Sequence, residues 1–145
     1  MEKINRHALV MFSAEQMFRL VDDIASYPEF VPYCQQAEII SRTENEVTAR
    51  LEIAKRGIAK SFSTKNTLVP FRSIQMQLID GPFESFSGHW QFNPLTEEAC
   101  KIALSLEFEF SNKLASMAFA AIFNQLTHSM VNAFTERAVQ VYGKN

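Results

Sequence analysis

Three histidines, two cysteines and sixteen carboxylates are the side chains of this sequence that could shuttle protons, hold a metal or attack a carbonyl. Their spacing organises none of that chemistry. His7, His89 and His128 share no interval typical of metal ligands, so neither a tetrahedral zinc site nor a histidine-based triad is signalled. Cys34 and Cys100 form no CxxC unit, and in a reducing compartment both are expected as buried free thiols. Asp22 and Asp23 are adjacent, and adjacent side chains on a helix point apart. They are expected to end a helix, not to share a proton. Glu107 and Glu109 alternate with apolar residues and should face water. Four unclustered glycines provide no phosphate-cradling loop. No catalytic residue and no metal ligand is assigned.

What remains is apolar chemistry. Thirteen Phe outnumber Trp, Tyr and His together, and each buried ring removes a large area from water. Phe62, Phe86, Trp90, Phe92 and Phe108 occupy positions expected to face inward from strands. Phe119 and Phe123 come from the terminal helix, and Phe30 and Val31 from a proline-flanked loop at the mouth. Together these residues could line a lipid cavity, where each buried methylene contributes about 0.8 kcal/mol. The same rings would equally fill a solid core, and spacing alone leaves both open. Polar groups that could anchor a ligand head are Tyr27, Tyr33, Arg50, His89 and Gln91. His89 and Gln91 fall opposite Trp90, however, and Arg50 falls among outward residues.

Net charge is −2, which gives no global attraction to DNA or RNA, but the segment from Arg50 to Arg72 is +5. Its cations Lys55, Arg56, Lys60 and Lys65 could meet phosphates of RNA or of anionic lipid at a membrane surface. They could equally be a solvated hairpin, and no aromatic residues suited to base stacking interleave with them.

Several elements must position these groups. Ile4 to Phe12 alternates as a strand. Ser13 and Gln16 form a capping box for a helix with Met17, Leu20, Val21 and Ile24 on one face. Pro28 and Pro32 convert Ala25 to Cys34 into a tight turn and loop. Strands are expected at Ala37–Arg42, Glu46–Ala54, Ile58–Val69, Ser73–Ile79, Phe86–Phe92 and Cys100–Phe110. Turns fall at Arg56-Gly57 and Asp80-Gly81-Pro82, and a polar connection at Asn93–Glu98. Lys113 to Tyr142 contains no Gly or Pro, and Phe119, Phe123, Leu126, Met130, Phe134 and Val141 recur at helical spacing. Its first part, Leu114 to Phe123, is apolar on every side, as a segment facing a ligand, membrane or partner would be. Consecutive strands make an antiparallel sheet with one apolar face, and only the terminal helix is long enough to cover it. One domain, residues 1–145, is expected.

This order resembles the helix-grip fold of the START-like superfamily: a curved antiparallel sheet of six to seven strands wrapped around a long C-terminal helix. Residues Val21 to Cys34 resemble the V-x-D-x-x-x-Y-x-x-F-x-P-x-C segment of its coenzyme Q-binding and ribosome association toxin branch. Gly81-Pro82-Phe83, Gly88-His89-Trp90-Gln91-Phe92 and Ala133-Phe134-x-x-Arg137-Ala138 follow in that family's order. The resemblance implies non-enzymatic binding of ubiquinone or a related isoprenoid lipid, in support of respiratory electron transport and without a cofactor. It implies as an alternative a toxin that binds the large (50S) ribosomal subunit and blocks subunit joining. A third option is an enzyme acting on a polyketide-like substrate. The absence of a transit peptide or apolar leader fits the bacterial, cytoplasmic kind, touching the inner membrane only from the side.

Overall fold

A computed structural model describes residues 2–111 and 113–143, the side chains of 113–116 excepted. Strand β1 (Glu2–Val10) leads through α1 (Ala14–Asp22) and a 3-10 helix (Ile24–Glu29) to six consecutive strands. These are β2 (Cys34–Arg42), β3 (Glu46–Lys55), β4 (Ile58–Val69), β5 (Ser73–Asp80), β6 (Phe83–Thr96) and β7 (Ala99–Phe110), and α2 (Lys113–Tyr142) follows. The strands form one sheet in the order β1-β7-β6-β5-β4-β3-β2, every pair antiparallel. Strands β1 and β2 therefore lie on opposite edges although they are neighbours in sequence. The chain between them has to cross the end of the sheet, and α1 with the 3-10 helix makes that crossing.

Local chemistry explains the crossing. The Ser13 hydroxyl accepts the Gln16 N–H at 3.1 Å, and the Ser13 N–H donates to Gln16 Oε1 at 2.9 Å, which satisfies two orphan donors at the start of α1. Met17, Phe18, Leu20 and Val21 form the buried face. The two aspartates stop the helix as expected: Asp22 is its last residue and Asp23 its C-cap, with Ser26 Oγ donating to Asp23 Oδ2 at 2.7 Å. The tight turn expected around Pro28 is the 3-10 helix. The buried Tyr27 hydroxyl donates back to the Val21 carbonyl and ties that turn to α1.

Strands β3 and β4 join through Arg56 and Gly57, with φ of 52° and 86°, the paired left-handed conformation that matches strand twist in a two-residue hairpin. Two expectations need correction. The segment Asn93–Glu98 is not a loop, because β6 runs on to Thr96 opposite β7. Pairing of β6 with β5 ends at Gln91, the Phe92 N–H donates to the Arg72 carbonyl at 2.8 Å just beyond it, and Pro94 further on interrupts no ladder on that side. Val141 is half exposed rather than on the covered stripe of α2. The true stripe passes Phe119, Phe123, Leu126, Phe134 and Ala138, since a straight helix of 3.6 residues per turn drifts away from a strict seven-residue repeat.

Helix α2, about 45 Å long, lies against the inner face, and the core between them divides into two aromatic groups. Toward its N-terminal end Phe62, Phe83, Phe86, Phe108, Phe119 and Phe123 interlock, largely edge to face. Toward the crossing, Trp90 and Tyr27 meet Phe134 edge to face at 5.3 and 5.4 Å, and Phe18 packs on Phe92 at 5.5 Å. The all-apolar stretch of α2 is described only in part, as Leu114, Ala115 and Ser116 lie outside the described side chains. Beyond them Phe119, Ile122 and Phe123 are buried while Met117 is exposed.

Candidate functional site

Between the two aromatic groups lies an interior cavity of about 50 Å³. Its floor is the inner face of β3 to β7. Its roof is Phe123, Leu126 and Met130 of α2, and Ile24, Tyr27 and Val31 of the crossing close one end. A water molecule takes about 30 Å³ of liquid volume, so in this conformation the space holds a water or a small group and no isoprenoid head. Two lining side chains can yield: Met76 and Met130 are unbranched, soft and only half buried. Gly88 belongs to the same device. A Cβ there would fall 2.4 Å from the Met76 methyl and 2.7 Å from a Leu106 methyl, so the missing side chain is what seats Met76.

Of the residues proposed from sequence to line a cavity, Val31, Phe62, Phe86, Trp90 and Phe123 do so. The others lie elsewhere. Phe108 and Phe119 are fully buried inside the ring cluster. Phe92 is covered by Phe18. Phe30 packs on Phe134 at 5.1 Å beneath the Arg137 guanidinium, on the far side of the crossing. Larger concavities, of about 980 and 480 Å³, are open surface grooves of mixed polarity beside Phe12 and Glu97 and among Arg19, Arg42 and Arg137.

The candidate anchors fare differently. Tyr27 spends its hydroxyl on Val21. His89 lies on the outer surface with Gln75 and Ser105, and Gln91 is exposed, as their phase opposite Trp90 required. Arg50 is exposed, 3.9 Å from Glu38. Two polar residues that sequence reasoning missed do reach the cavity, Thr64 and Asn66, 8% and 6% exposed. Thr64 Oγ1 donates to Asn66 Oδ1 at 2.9 Å. The signal was present in β4, where Phe62, Thr64, Asn66 and Leu68 alternate with Lys65 and Thr67 and so share the inward face.

A three-residue contact spans the cavity's edge. The Tyr33 hydroxyl donates to Gln125 Oε1 at 2.9 Å, Lys55 Nζ donates to the same oxygen at 3.4 Å, and the Lys55 ammonium sits 4.9 Å from the Tyr33 ring centre. Each partner lies within two residues of a lining position, Val31, Ile53 or Leu126, so the contact bolts the crossing and the β3–β4 hairpin to α2. Tyr33 is held at φ 66° while its carbonyl accepts the Ala54 N–H at 2.9 Å.

Acids from neighbouring strands offset part of the basic segment. Lys65 lies 3.4 Å from Glu46 across the β3–β4 pair, while Lys55 keeps its charge but is engaged with the neutral Tyr33 and Gln125. Arg56 and Lys60 are exposed and take no part in an ion pair among the described residues. Reactive groups are quiet. Burial pushes the Cys34 and Cys100 thiols up to about 11 and raises the Tyr27 phenol far above its ordinary value, with Asp22 adding to the rise. Among the described residues no three His, Cys, Asp or Glu side chains converge as metal ligands. No helix there is long and apolar enough to cross a membrane.

A curved antiparallel sheet gripping a long terminal helix, with an apolar space between them, defines the START-like helix-grip class. An aromatase/cyclase from a Streptomyces strain superposes over 99% of both chains with a TM-score of 0.84 at 18% identity, which shows the shared fold alone. The chain belongs to the polyketide cyclase / dehydrase and lipid transport family, whose model matches residues 10–135. A ribosome association toxin of Vibrio cholerae is 54% identical over 144 residues, covering 99% of this chain and all of that one. A mitochondrial coenzyme Q-binding protein homolog of Xenopus laevis is 27% identical over 137 residues, covering 92% of this chain and 56% of that one.

Proposed function

We propose that this protein is a non-enzymatic binder of an isoprenoid quinone or a lipid of similar build, taken up between sheet and α2 in support of respiratory electron transport. The observation that carries this reading is the interior space itself: apolar, edged by two adaptable methionines, and holding one polar pair. Pockets for such ligands are apolar with few polar anchors. The family's description as lipid transport proteins and the coenzyme Q-binding homolog support it. Since the space is about 50 Å³, uptake requires Met76, Met130 and the Phe123 end of α2 to move. Quiet thiols and dispersed histidines favour binding over catalysis.

A second reading, association with the large ribosomal subunit, is favoured by the ribosome association toxin that is 54% identical over nearly the whole chain. On this reading Arg56 and Lys60 are the phosphate contacts, because they are the hairpin cations left free.

Mass spectrometry of lipids extracted from the purified protein tests the first reading. A quinone at near-equimolar amount is expected, and lipid-free protein that also fails to take up added quinone would sink it. Sedimentation with 50S particles at graded salt tests the second. Association should weaken as salt rises and fall further in the Arg56→Glu, Lys60→Glu double variant, and a protein that stays in the supernatant at low salt refutes it.

A further inference from the structure

Asn66 is 94% buried, being only 6% exposed, and lines an otherwise apolar cavity. Its carbonyl oxygen is occupied by the Thr64 hydroxyl at 2.9 Å. With the Thr64 hydroxyl as donor, the amide oxygen lies toward Thr64 and the NH₂ away from it. Among the described residues no hydrogen bond runs from the amide nitrogen to a protein group, and that atom is not one of the sealed unpartnered ones, Asp22 Oδ1 and Asn124 Oδ1, so it keeps open surface on the cavity that Asn66 lines. An amide donor facing so small an apolar space gives up much of its hydrogen bonding to water, at a cost of up to about 1–3 kcal/mol, which a fold avoids by choosing an apolar residue unless something supplies the acceptor. Leu would have the same branched shape at this position and would suit the inner face of β4 between Thr64 and Leu68.

Position supports the same view. Asn66 stands opposite Met76 on β5 and Val47 on β3. The side chain most able to vacate space is therefore beside the amide, and the missing side chain at Gly88 is where the Met76 tip rests. A group arriving next to Asn66 displaces a thioether and no rigid ring. Trp90 and Phe86 line the same space, as a flat unsaturated head would require.

We infer that Asn66, oriented by Thr64, is the polar anchor of the cavity and donates its amide hydrogens to a carbonyl oxygen of an otherwise apolar ligand. This rests on the carrier reading and adds the head-group chemistry to it: an acceptor-only oxygen, from a quinone ring or a fatty ester, and not an ammonium or phosphate, for which the cavity has no counter-charge among its lining residues.

The test uses Trp90, the sole tryptophan, as reporter. Its emission is followed while the whole protein is titrated with three probes: a decyl-substituted benzoquinone, methyl laurate, and decylbenzene, which has no carbonyl. The wild type should hold the carbonyl probes more tightly than decylbenzene by about ten-fold, the value of one neutral hydrogen bond in a dry site. Asn66→Leu should erase that preference while leaving decylbenzene binding equal or tighter. Thr64→Val, which frees the amide to rotate, should erode it by a few fold. A preference for the benzoquinone alone assigns the oxygen to a ring, and equal binding of the ester assigns it to any carbonyl. If Asn66→Leu weakens all three probes equally, or the wild type shows no preference, the anchor is refuted while the carrier reading stands. If none of the probes perturbs Trp90 in the wild type, the carrier reading fails and the anchor falls with it. Circular dichroism of the variants separates a lost fold from a lost bond.

Discussion

Replacing Phe123 by Ala probes the interior most directly. The ring is 2% exposed and meets Phe83 at 5.0 Å, Phe108 at 5.1 Å, Phe119 at 5.7 Å and Phe62 at 5.9 Å while also roofing the cavity. Truncating a core Phe costs about 3–5 kcal/mol. The upper half of that range applies where neighbours are too rigid to collapse, as interlocked rings are. The vacated space joins the existing cavity of about 50 Å³ and reaches on the order of 150 Å³, a size that stays dry and binds benzene when lined by apolar side chains. Phe123→Ala should therefore melt about 12–15 °C lower, using about 3 °C per kcal/mol for a domain of this size. Benzene or a short alkylbenzene should then recover part of the loss, about 2.7 kcal/mol at a hundred-fold excess over its Kd. Differential scanning calorimetry with and without the hydrocarbon reads both quantities. A loss under 1 kcal/mol, or no recovery with hydrocarbon, would show that α2 collapses onto the sheet and that the two surfaces do not enclose a persistent space.

Gly88→Ala should push the Met76 methyl into the cavity, since the new Cβ would lie 2.4 Å from its present position; ligand uptake should fall with stability changed by less than about 1–2 kcal/mol, and unchanged uptake would show that Met76 has another place to go. Tyr33→Phe removes the hydroxyl that donates to Gln125 at 2.9 Å, so ligand release followed by stopped-flow Trp90 emission should speed up several fold while the melting temperature hardly moves; identical release rates would mean the cavity opens elsewhere. Burial raises the Cys34 and Cys100 thiols to about 11, so between roughly pH 9 and pH 11 the unfolded chain loses these protons and the folded one keeps them. Stability should be undiminished below pH 9 and fall as pH rises through that window, with Tyr27 extending the slope beyond it. Urea midpoints at stepped pH would reveal this, and a slope unaltered in a Cys34→Ala, Cys100→Ala variant would assign the loss to other groups.

The order of elements, the capping box at Ser13, the hairpin turn at Arg56-Gly57 and the helical stop at the two aspartates were all legible in the sequence. Each is governed by residues a few positions apart, so local periodicity and backbone preference suffice. The inward phase of Trp90 and Phe123 was legible for the same reason. What the sequence could not resolve was the difference between lining a space and filling one. Phe92 and Phe108 have the same alternation as Phe86 and Trp90, yet Phe18 covers one and the ring cluster absorbs the other. That outcome depends on which element arrives from the far edge of the sheet. The pairing of Lys55 with Tyr33 and Gln125, and of Lys65 with Glu46, likewise joins residues from separate elements or strands, so in a run that reads as uniformly basic one cation is tied down by neutral groups and another is offset by a carboxylate. Asn66 unites both levels. Its inward phase and its Thr64 partner two residues away are both written in β4, but only the assembled sheet and helix decide that the nitrogen faces an enclosed apolar space, because what surrounds the far side of the amide belongs to the packed structure and not to the strand.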